Sequence, residues 1–439
     1  LIEKGIFAPM KKVLIITYYW PPAGGIAVQR TLKFVKYLQD FGWMPIVYTV
    51  SNGEYPEHDP GLEQQVPANV TVIRRPIWEP YSWYKAFTGK SGKKVNRANL
   101  KQKAGGSLTE KISFWIRGNF FIPDTRRFWI KPSIAFLNDY LQKEKVDAII
   151  STGPPHSMHL IARGVSRKMK LPWLADFRDP WTTMDYYKDL MLTSMADSRH
   201  RELELAVLKE ASSVAVVGRF IQYEFEGKGA HRVRVISNGF DTTDFATEPI
   251  ETDKTFALVH TGSFFTRRNP EALWKAISEL KAEGHPAGNV QLKLVGRVDP
   301  SVLSSIEKFG LTGNLNLIAQ VPYHQVIRIM KAAPVLLLPI DVFDGSKWVL
   351  TGKLYEYLAS GRPIVCIGPL DGDAAGVISA SGAGKAFDFA DVAGLKAHLL
   401  TLHQQFVAGT LRIEGSKVDQ FTRKHLTGEL ADELNRITA

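Results

Sequence analysis

The sequence predicts an α/β protein of two doubly wound domains, each a parallel sheet flanked by helices. Short apolar runs alternate along the chain with amphipathic stretches, the rhythm of strands buried on both faces and returned to the same sheet edge by helices. Loops rich in glycine, proline or charge follow several of these runs, which places polar chemistry at strand ends, where open parallel sheets bind ligands. The chain has 439 residues, 45% of them hydrophobic, enough for two domains that each bury a core.

The first domain is placed at residues 10–240. Lys12-Val-Leu-Ile-Ile-Thr17 reads as a strand, Tyr18-Tyr-Trp-Pro-Pro-Ala-Gly-Gly25 as the loop after it, Val28 to Phe41 as a helix and Pro45 to Val50 as the next strand. Paired glycines at such a strand end let backbone approach a ligand that a Cβ would obstruct, which makes Gly24 and Gly25 candidate site residues. Val146 to Thr152 is a further strand. It runs into Gly153-Pro-Pro-His-Ser-Met-His159 and a helix through Lys168, with Ser157 as the expected cap. His156 and His159 have no third or fourth ligand nearby and are read as helix-start and packing residues rather than a metal pair.

After Pro172 another strand ends in Asp176-Phe-Arg-Asp-Pro-Trp181, so Asp176, Arg178 and Asp179 emerge at the same edge. Two readings of this cluster stand open, ligand-facing groups or an ion pair between Arg178 and an aspartate that holds the loop. Strands at Ala211 to Val217 and from Val233 complete the domain. Asn238-Gly239 supplies turn chemistry before a hinge expected at residues 240–250.

The second domain, residues 250–415, restarts the rhythm at Phe256-Ala-Leu-Val-His-Thr-Gly262. Thr266-Arg-Arg-Asn-Pro270 opens the next helix with Arg267 and Arg268, whose guanidinium forks suit phosphate oxygens; exposed arginines without a task are the alternative. Strands follow at Val290 to Val295, Leu315 to Ile318 and Val335 to Leu338. Asp371-Gly-Asp373 has the form of a metal-binding Asp-x-Asp, yet it precedes a helix at Ala374, where an aspartate is an ordinary cap, and no metal site is expected. The tail from Val418 to Ile437 reads as helical.

Composition narrows the function classes. The single cysteine, Cys366, lies in the apolar run Pro363 to Ile367 and reads as a core thiol in a reducing compartment, with disulfide and cysteine-metal chemistry excluded by count. No apolar run reaches the roughly 18 residues of a spanning helix. Leu1 to Pro9 lack the apolar core of a secretory signal and are taken for an extension or upstream start. Of the net charge of +11, nearly all falls between Ser82 and Pro132, where twelve Lys or Arg stand against Glu110 and Asp124 among nine aromatic residues. Basic residues interleaved with Trp and Phe suit an anionic membrane surface. A solvated loop with core aromatics is the alternative, and nucleic acid is not expected, because no nucleic-acid module accompanies the charge.

The segment Thr351-Gly-Lys-Leu-Tyr-Glu-Tyr-Leu-Ala-Ser-Gly-Arg-Pro-Ile-Val365 is the most informative. A helix opens after Gly352, sets Lys353 and Glu356 one turn apart on one face, closes at Gly361 and leads into a buried strand from Pro363. A helix start between two strands offers an anion free N–H groups and about +0.5 of dipole charge. Lys353 adds charge for phosphate and Glu356 an acceptor for vicinal sugar hydroxyls, a pairing that suits a nucleotide sugar. A solvated helix pair is the bland alternative, and Gly352, Gly361 and Pro363 weigh against it.

This segment resembles the donor-site helix of glycosyltransferase family 4 enzymes of the GT-B fold. The Asp-Phe-Arg-Asp-Pro-Trp run resembles a branch of that family tied to surface polysaccharides. The resemblance extends over nearly all of Lys12 to Ala439 and is weakest over Ser82 to Lys111. It implies two Rossmann-like domains facing each other across a cleft, the first binding acceptor and the second the nucleotide sugar, with residues 416–439 packed back on the first. It also implies retaining, hexosyltransferase-type transfer to a glycan or lipid-linked acceptor on the cytoplasmic side of a membrane, without metal or other cofactor.

By the same resemblance, Gly24 and Gly25 lie beside the transferred sugar and the leaving phosphate, and Asp176, Arg178 and Asp179 occupy the loop in which many members have a donor-contacting histidine. Arg267 and Arg268 take the place of an arginine and lysine on the donor diphosphate, at compressed spacing, and Lys353 and Glu356 belong to the donor helix. Most members carry another glutamate eight positions before the one matched by Glu356. Here that position is Trp348, which leaves Asp344 or the backbone amides of the 344–348 loop to serve it. Two other readings stand beside the transferase, a sugar-nucleotide epimerase and a non-catalytic basic protein that binds membrane or polyanion through a degenerate donor cleft.

Overall fold

The computed structural model describes residues 10–55, 57–79, 108–246, 250–413 and 417–439. The leading nine residues and most of the basic segment, up to residue 107, lie outside them. The chain divides into two compact units, Leu1–Ser237 with Leu426–Ala439, and Asn238–His425.

The first unit contains β1 (Lys11–Ile16), α1 (Ile26–Tyr37), β2 (Trp43–Val50), β3 (Thr71–Arg75), α2 (Leu108–Phe120), α3 (Arg127–Lys143), β4 (Ala148–Gly153), α4 (Ser157–Met169), β5 (Trp173–Phe177), α5 (Ser194–Glu210), β6 (Ser213–Val216), α6 (Arg219–Gly227) and β7 (Val233–Val235). The second contains β8 (Ala257–Thr261), α7 (Glu271–Ala282), β9 (Gln291–Val295), α8 (Pro300–Lys308), β10 (Leu315–Ile318), α9 (Tyr323–Ala332), β11 (Val335–Pro339), α10 (Gly352–Ser360), β12 (Ile364–Ile367), α11 (Asp373–Ser381), β13 (Gly384–Phe387) and α12 (Val392–Val407). The last helix is α13 (Arg423–Ile437).

Both sheets are parallel throughout. The first runs β3-β2-β1-β4-β5-β6-β7 and the second β10-β9-β8-β11-β12-β13. Strand order reverses between β1 and β4, which pair Leu14 with Ile149, and between β8 and β11, which pair Leu258 with Val335. These are the switch points at whose carboxyl ends doubly wound sheets open a crevice.

Strand chemistry explains the layering. In β1, Leu14 and Ile16 join a core layer with Trp129, Leu137 and Ile161, while Val13 and Ile15 face the opposite layer with Val28, Leu32 and Val35. Alternation therefore sends successive side chains to two cores, and a run apolar at every position is what two buried faces require. Burying one such side chain is worth about 1.5–3 kcal/mol. Helix α13 adds Leu426, Leu430, Ala431 and Leu434 to the Val13 layer, the i, i+4, i+5, i+8 spacing of one helix face. The second sheet repeats the plan, with Leu258 in one layer and Ala257 and Val259 in the other.

Two expected caps are replaced. At α4 the N-cap position is His156, and Ser157 sits one residue inside, its N–H and hydroxyl donating to Asp124 at 2.9 and 2.8 Å. A carboxylate from a distant loop thus serves the helix start, in line with the dipole. At α11 Gly372 holds the N-cap position without a side-chain bond, Asp373 lies in the first turn, and Asp371 pairs with Lys347 at 2.5 Å. Cys366 is buried in β12, and burial raises its thiol pKa to about 12. Among the described residues no helix is long and apolar enough to cross a membrane.

Candidate functional site

In the second unit, polar groups from four strand ends meet at the edge of the sheet. Strand β8 ends at Thr261, and Gly262 follows at φ +90°, its N–H bonded to the carbonyl of Val295 at 2.7 Å. A Cβ on Gly262 would lie 2.6 Å from Cε of Lys353, so glycine there satisfies the backbone and leaves room for the lysine. The single 3-10 turn Thr266–Arg268 brings Arg268 over the same edge, where it pairs with Asp341, two residues beyond the end of β11. Arg267 on the same turn is exposed, and its carbonyl accepts the Val342 N–H at 2.8 Å. Of the arginine pair, only Arg268 is among the charges acting directly on Lys353.

Helix α10 carries the remaining groups. Leu354, Tyr355, Tyr357 and Leu358 are buried, and the Tyr357 hydroxyl accepts the Thr261 N–H at 3.0 Å, tying the helix to the end of β8. With that face fixed, Lys353 and Glu356 are left half-buried at the helix start. Thr351 occupies the N-cap position, its buried Oγ1 without a hydrogen-bond partner among the described residues, ahead of the N–H groups that a first helical turn leaves unpaired. Tyr323, at the start of α9, donates to Oε1 of Glu356 at 3.2 Å.

Burial, reinforced by the Arg268 charge, lowers the pKa of Lys353 to about 8, against the opposing pull of Glu356 and Asp341. Burial also raises the Glu356 carboxyl, with the Tyr323 hydrogen bond and Lys353 holding it back. Both charged forms are therefore costly here, and an anion beside Lys353 with a hydroxyl donor on Glu356 would relieve both. Perturbed pKa values in a strand-end cluster are a mark of functional sites.

The loop expected to replace the missing glutamate is closed on itself. Residues Ser346–Trp348 form a 3-10 turn in which the amides of Ser346 and Trp348 bond the carbonyls of Phe343 and Gly345 at 3.0 and 3.3 Å, so these two are not offered to a ligand. The Trp348 ring packs edge-on against Phe343, 5.9 Å between centroids. Asp344 is exposed on the same loop. Among the described residues no group of three or more His, Cys, Asp or Glu is placed to hold a metal ion.

In the first unit the edge is arranged differently. The N–H of Gly24 is taken by the carbonyl of Glu57 at 2.9 Å, so that amide is not offered to a ligand. Gly25, exposed at φ +92°, is the N-cap residue of α1. Asp176 is buried and engaged by Arg30, Nη2 to Oδ1 at 2.7 Å and Nε to Oδ2 at 3.2 Å, and by the Thr152 hydroxyl at 2.8 Å. Arg30 also donates to the carbonyls of Ile236 and Ser237, both at 2.8 Å.

Of the two readings left open for this loop, the charges of Asp179 and Asp176 both act on Arg178, as the ion-pair reading has it. Asp176 belongs to Arg30, while Arg178 donates to the carbonyls of Gly153 and Pro154, and the half-buried Asp179 contributes its charge to Arg178 through space. The loop is also held by Glu204, which accepts the N–H groups of Trp181 and Thr182 at 3.2 Å each and pairs with Lys228 at 2.8 Å. His156 stacks on Trp181 and His159 on Phe177, with His159 Nδ1 2.8 Å from the Ser151 hydroxyl. Burial lowers the His159 pKa to about 3, so the ring is neutral.

Sequence reasoning missed Arg30, Asp341 and Tyr323. An arginine on a helix beside Val28 and Leu32 carries no local sign of burial, since its partner lies 146 positions away. Asp341 had a signal, a carboxylate just after the Val335 to Leu338 run, at the same edge as Gly262 and Lys353.

Residues 255–405 match the family model described as glycosyl transferases group 1. No curated protein matches the chain in sequence. Among solved structures it is similar to sucrose-phosphate synthase from Thermosynechococcus elongatus, at 14% identity over 97% of this chain and 99% of that one, with a TM-score of 0.57. The likeness to HepE from Anabaena, solved with UDP-glucose, is 14% identity over 97% and 100% of the two chains, with a TM-score of 0.56. For WaaG, a glycosyltransferase involved in lipopolysaccharide biosynthesis, the values are 15%, 96%, 99% and 0.50. At such identities the likeness is one of fold, and with its two parallel Rossmann-like sheets that fold is GT-B. The group 1 domain in the second unit marks an enzyme of the glycosyltransferase type.

Proposed function

We propose that the chain moves a sugar from a nucleotide-sugar donor to a hydroxyl of a glycan or lipid-linked acceptor, with retention of configuration, in surface polysaccharide or lipopolysaccharide synthesis at the cytoplasmic face of a membrane. The observation that carries this reading is the start of α10, where Lys353 and Glu356 stand half-buried with opposite pKa shifts beside the Arg268–Asp341 pair. The group 1 match over this unit supports it, as do the titles of two fold relatives, one naming UDP-glucose and the other lipopolysaccharide synthesis.

Breaking the sugar–phosphate bond leaves an oxocarbenium-like sugar and places new negative charge on the diphosphate. Fixed donors aimed at that charge act mainly in the transition state. The N-terminus of α10 and the Lys353 ammonium supply two of them. Arg268 supplies a third by exchanging Asp341 for phosphate, which keeps its guanidinium paired throughout, and the exposed Arg267 adds its charge from the same turn. Glu356 accepts from hydroxyls of the ribose or sugar. The acceptor's proton passes to the leaving phosphate, so no protein nucleophile is needed, and Asp176, held by Arg30, is assigned to structure. In the first unit Gly25 is the residue left for close approach of a substrate. Cationic side chains carry the diphosphate charge, and magnesium independence follows.

The test is to incubate the protein with UDP-, GDP-, dTDP- and ADP-sugars, with and without a membrane extract as acceptor, and to identify products by NMR. Nucleoside diphosphate release from one donor, dependent on the extract and indifferent to EDTA, is the expected result. Conversion of the donor sugar to an epimer without any acceptor would replace the transferase reading.

A further inference from the structure

We propose that the outward face of α2 is a membrane-docking surface that seats Ile112, Trp115, Ile116 and Phe120 in the interface of an anionic lipid bilayer. These residues stand at i, i+3, i+4 and i+8, a single stripe along the helix. On a helix of a globular protein that stripe normally faces the core. Here it faces outward, with Ile112 48%, Ile116 42% and Phe120 58% exposed, and Trp115 at 38%.

The side of α2 that meets the protein is marked instead by Gly118. It is buried, and a Cβ there would stand 2.7 Å from the Leu192 side chain and 3.0 Å from Leu190. The helix end is fixed by polar contacts, Asn119 accepting the Thr193 N–H at 2.7 Å and donating to the Met191 carbonyl at 3.3 Å. Small and polar residues anchor the helix, while Ile112, Trp115, Ile116 and Phe120 stay exposed, with the Trp115 and Phe120 rings packed edge to face on each other at 5.7 Å. Trp78 and Phe128, both exposed and packed edge to face at 4.7 Å, add a second pair of aromatic rings from the same unit.

Charge selects the occupant. Arg117 on α2 is exposed, as are Arg127 and Lys131 in the first turns of α3. The chain that leads into α2, residues 80–107, carries seven Lys or Arg and no Asp or Glu. Nearby Asp124 is engaged by Ser157 and by the Arg126 N–H. An apolar stripe alone would suit another protein surface equally well. A stripe containing Trp and Phe on a helix that carries the exposed Arg117, in a segment with a large excess of Lys and Arg, suits the headgroup layer of an anionic membrane, where aromatic rings sit at the boundary and Lys and Arg meet phosphate.

The inference stands apart from the donor-site reading, because binding to lipid is measured without turnover. The experiment is co-sedimentation of the full chain with vesicles of phosphatidylcholine alone and of phosphatidylcholine mixed with phosphatidylglycerol. The wild-type protein should partition onto the anionic vesicles and remain free of the neutral ones. The double substitution Trp115→Ala, Phe120→Ala should weaken that partition by roughly tenfold or more with the melting temperature unchanged, and Arg117→Glu should weaken it by a smaller factor. Quenching of tryptophan fluorescence by brominated lipid should fall in Trp115→Phe, a variant that keeps an aromatic ring in place. Equal binding to neutral vesicles, or anionic binding untouched by the double substitution, would overturn the proposal. So would self-association of the wild-type chain that the double substitution abolishes, since the stripe would then be covered by a second copy.

Discussion

At the carboxyl edge of the first sheet three charge pairs are already closed. Arg30 holds Asp176, Arg126 holds Glu79 at 2.9 Å, and Lys228 holds Glu204 at 2.8 Å, with at least one partner of each pair buried. At the same edge of the second sheet Lys353 and Glu356 lie one turn apart, and burial shifts both toward their neutral forms. A buried charge given a complete set of partners specifies geometry, whereas a half-buried charge that burial has made costly is poised for a ligand. The two edges share a strand plan, so side-chain pairing rather than topology separates structural charge from site charge.

The sharpest way to break this comparison is to remove Arg30. Arg30→Ala leaves the Asp176 carboxylate buried with the Thr152 hydroxyl and should cost about 3–5 kcal/mol in urea unfolding. A loss comparable to that of a surface substitution would mean that the first edge is not held by this pair. Next come Lys353→Ala and Glu356→Ala, each expected to lower turnover at least tenfold, about 1.4 kcal/mol of barrier, with the unfolding midpoint nearly unchanged. Rates close to wild type in both would remove α10 from the site.

Smaller effects sharpen the contrast. Gly262→Ala imposes a Cβ at φ +90° and 2.6 Å from Lys353 Cε, so it should cost roughly 1 kcal/mol of stability and weaken nucleotide binding together. The lowered Lys353 pKa gives two pH effects of opposite sign. Diphosphate affinity should fall as pH rises above about 8, where the free amine loses its charge. Stability of the ligand-free protein should instead gain from this group as pH climbs from about 8 toward the ordinary lysine value, because the folded state no longer holds a buried ammonium. Affinity that stays flat across this range would show Lys353 not to touch the anion. Tyr323→Phe, the mildest change, removes one hydrogen bond that favours the Glu356 carboxylate and should move the acid limb of the pH–rate profile upward.

Much of this architecture was legible because its signals are local. Strands apolar at every position announce burial on two faces, and Leu315–Ile318 agrees with its predicted bounds to the residue. The α10 segment was readable because Gly361, at φ +70°, ends the helix where a glycine should. Where one helix was read from Val28 to Phe41, α1 stops at Tyr37 and a 3-10 turn completes the stretch before Gly42 at φ +80°, a change of hydrogen-bond register that periodicity does not encode. The partners of Asp176, Ser157 and Lys353 were not legible. Arg30, Asp124 and Gly262 acquire their roles from strand order, and strand order is a long-range property.

The most direct test of the donor assignment is calorimetric titration of UDP, GDP, dTDP, ADP and CMP into the protein and into Glu356→Ala, each with and without magnesium. One nucleotide binding the wild type at micromolar affinity with or without the metal, and losing that affinity in the variant, is the predicted result. Silence across the whole panel, or binding that survives Glu356→Ala unchanged, would contradict a donor site at the start of α10.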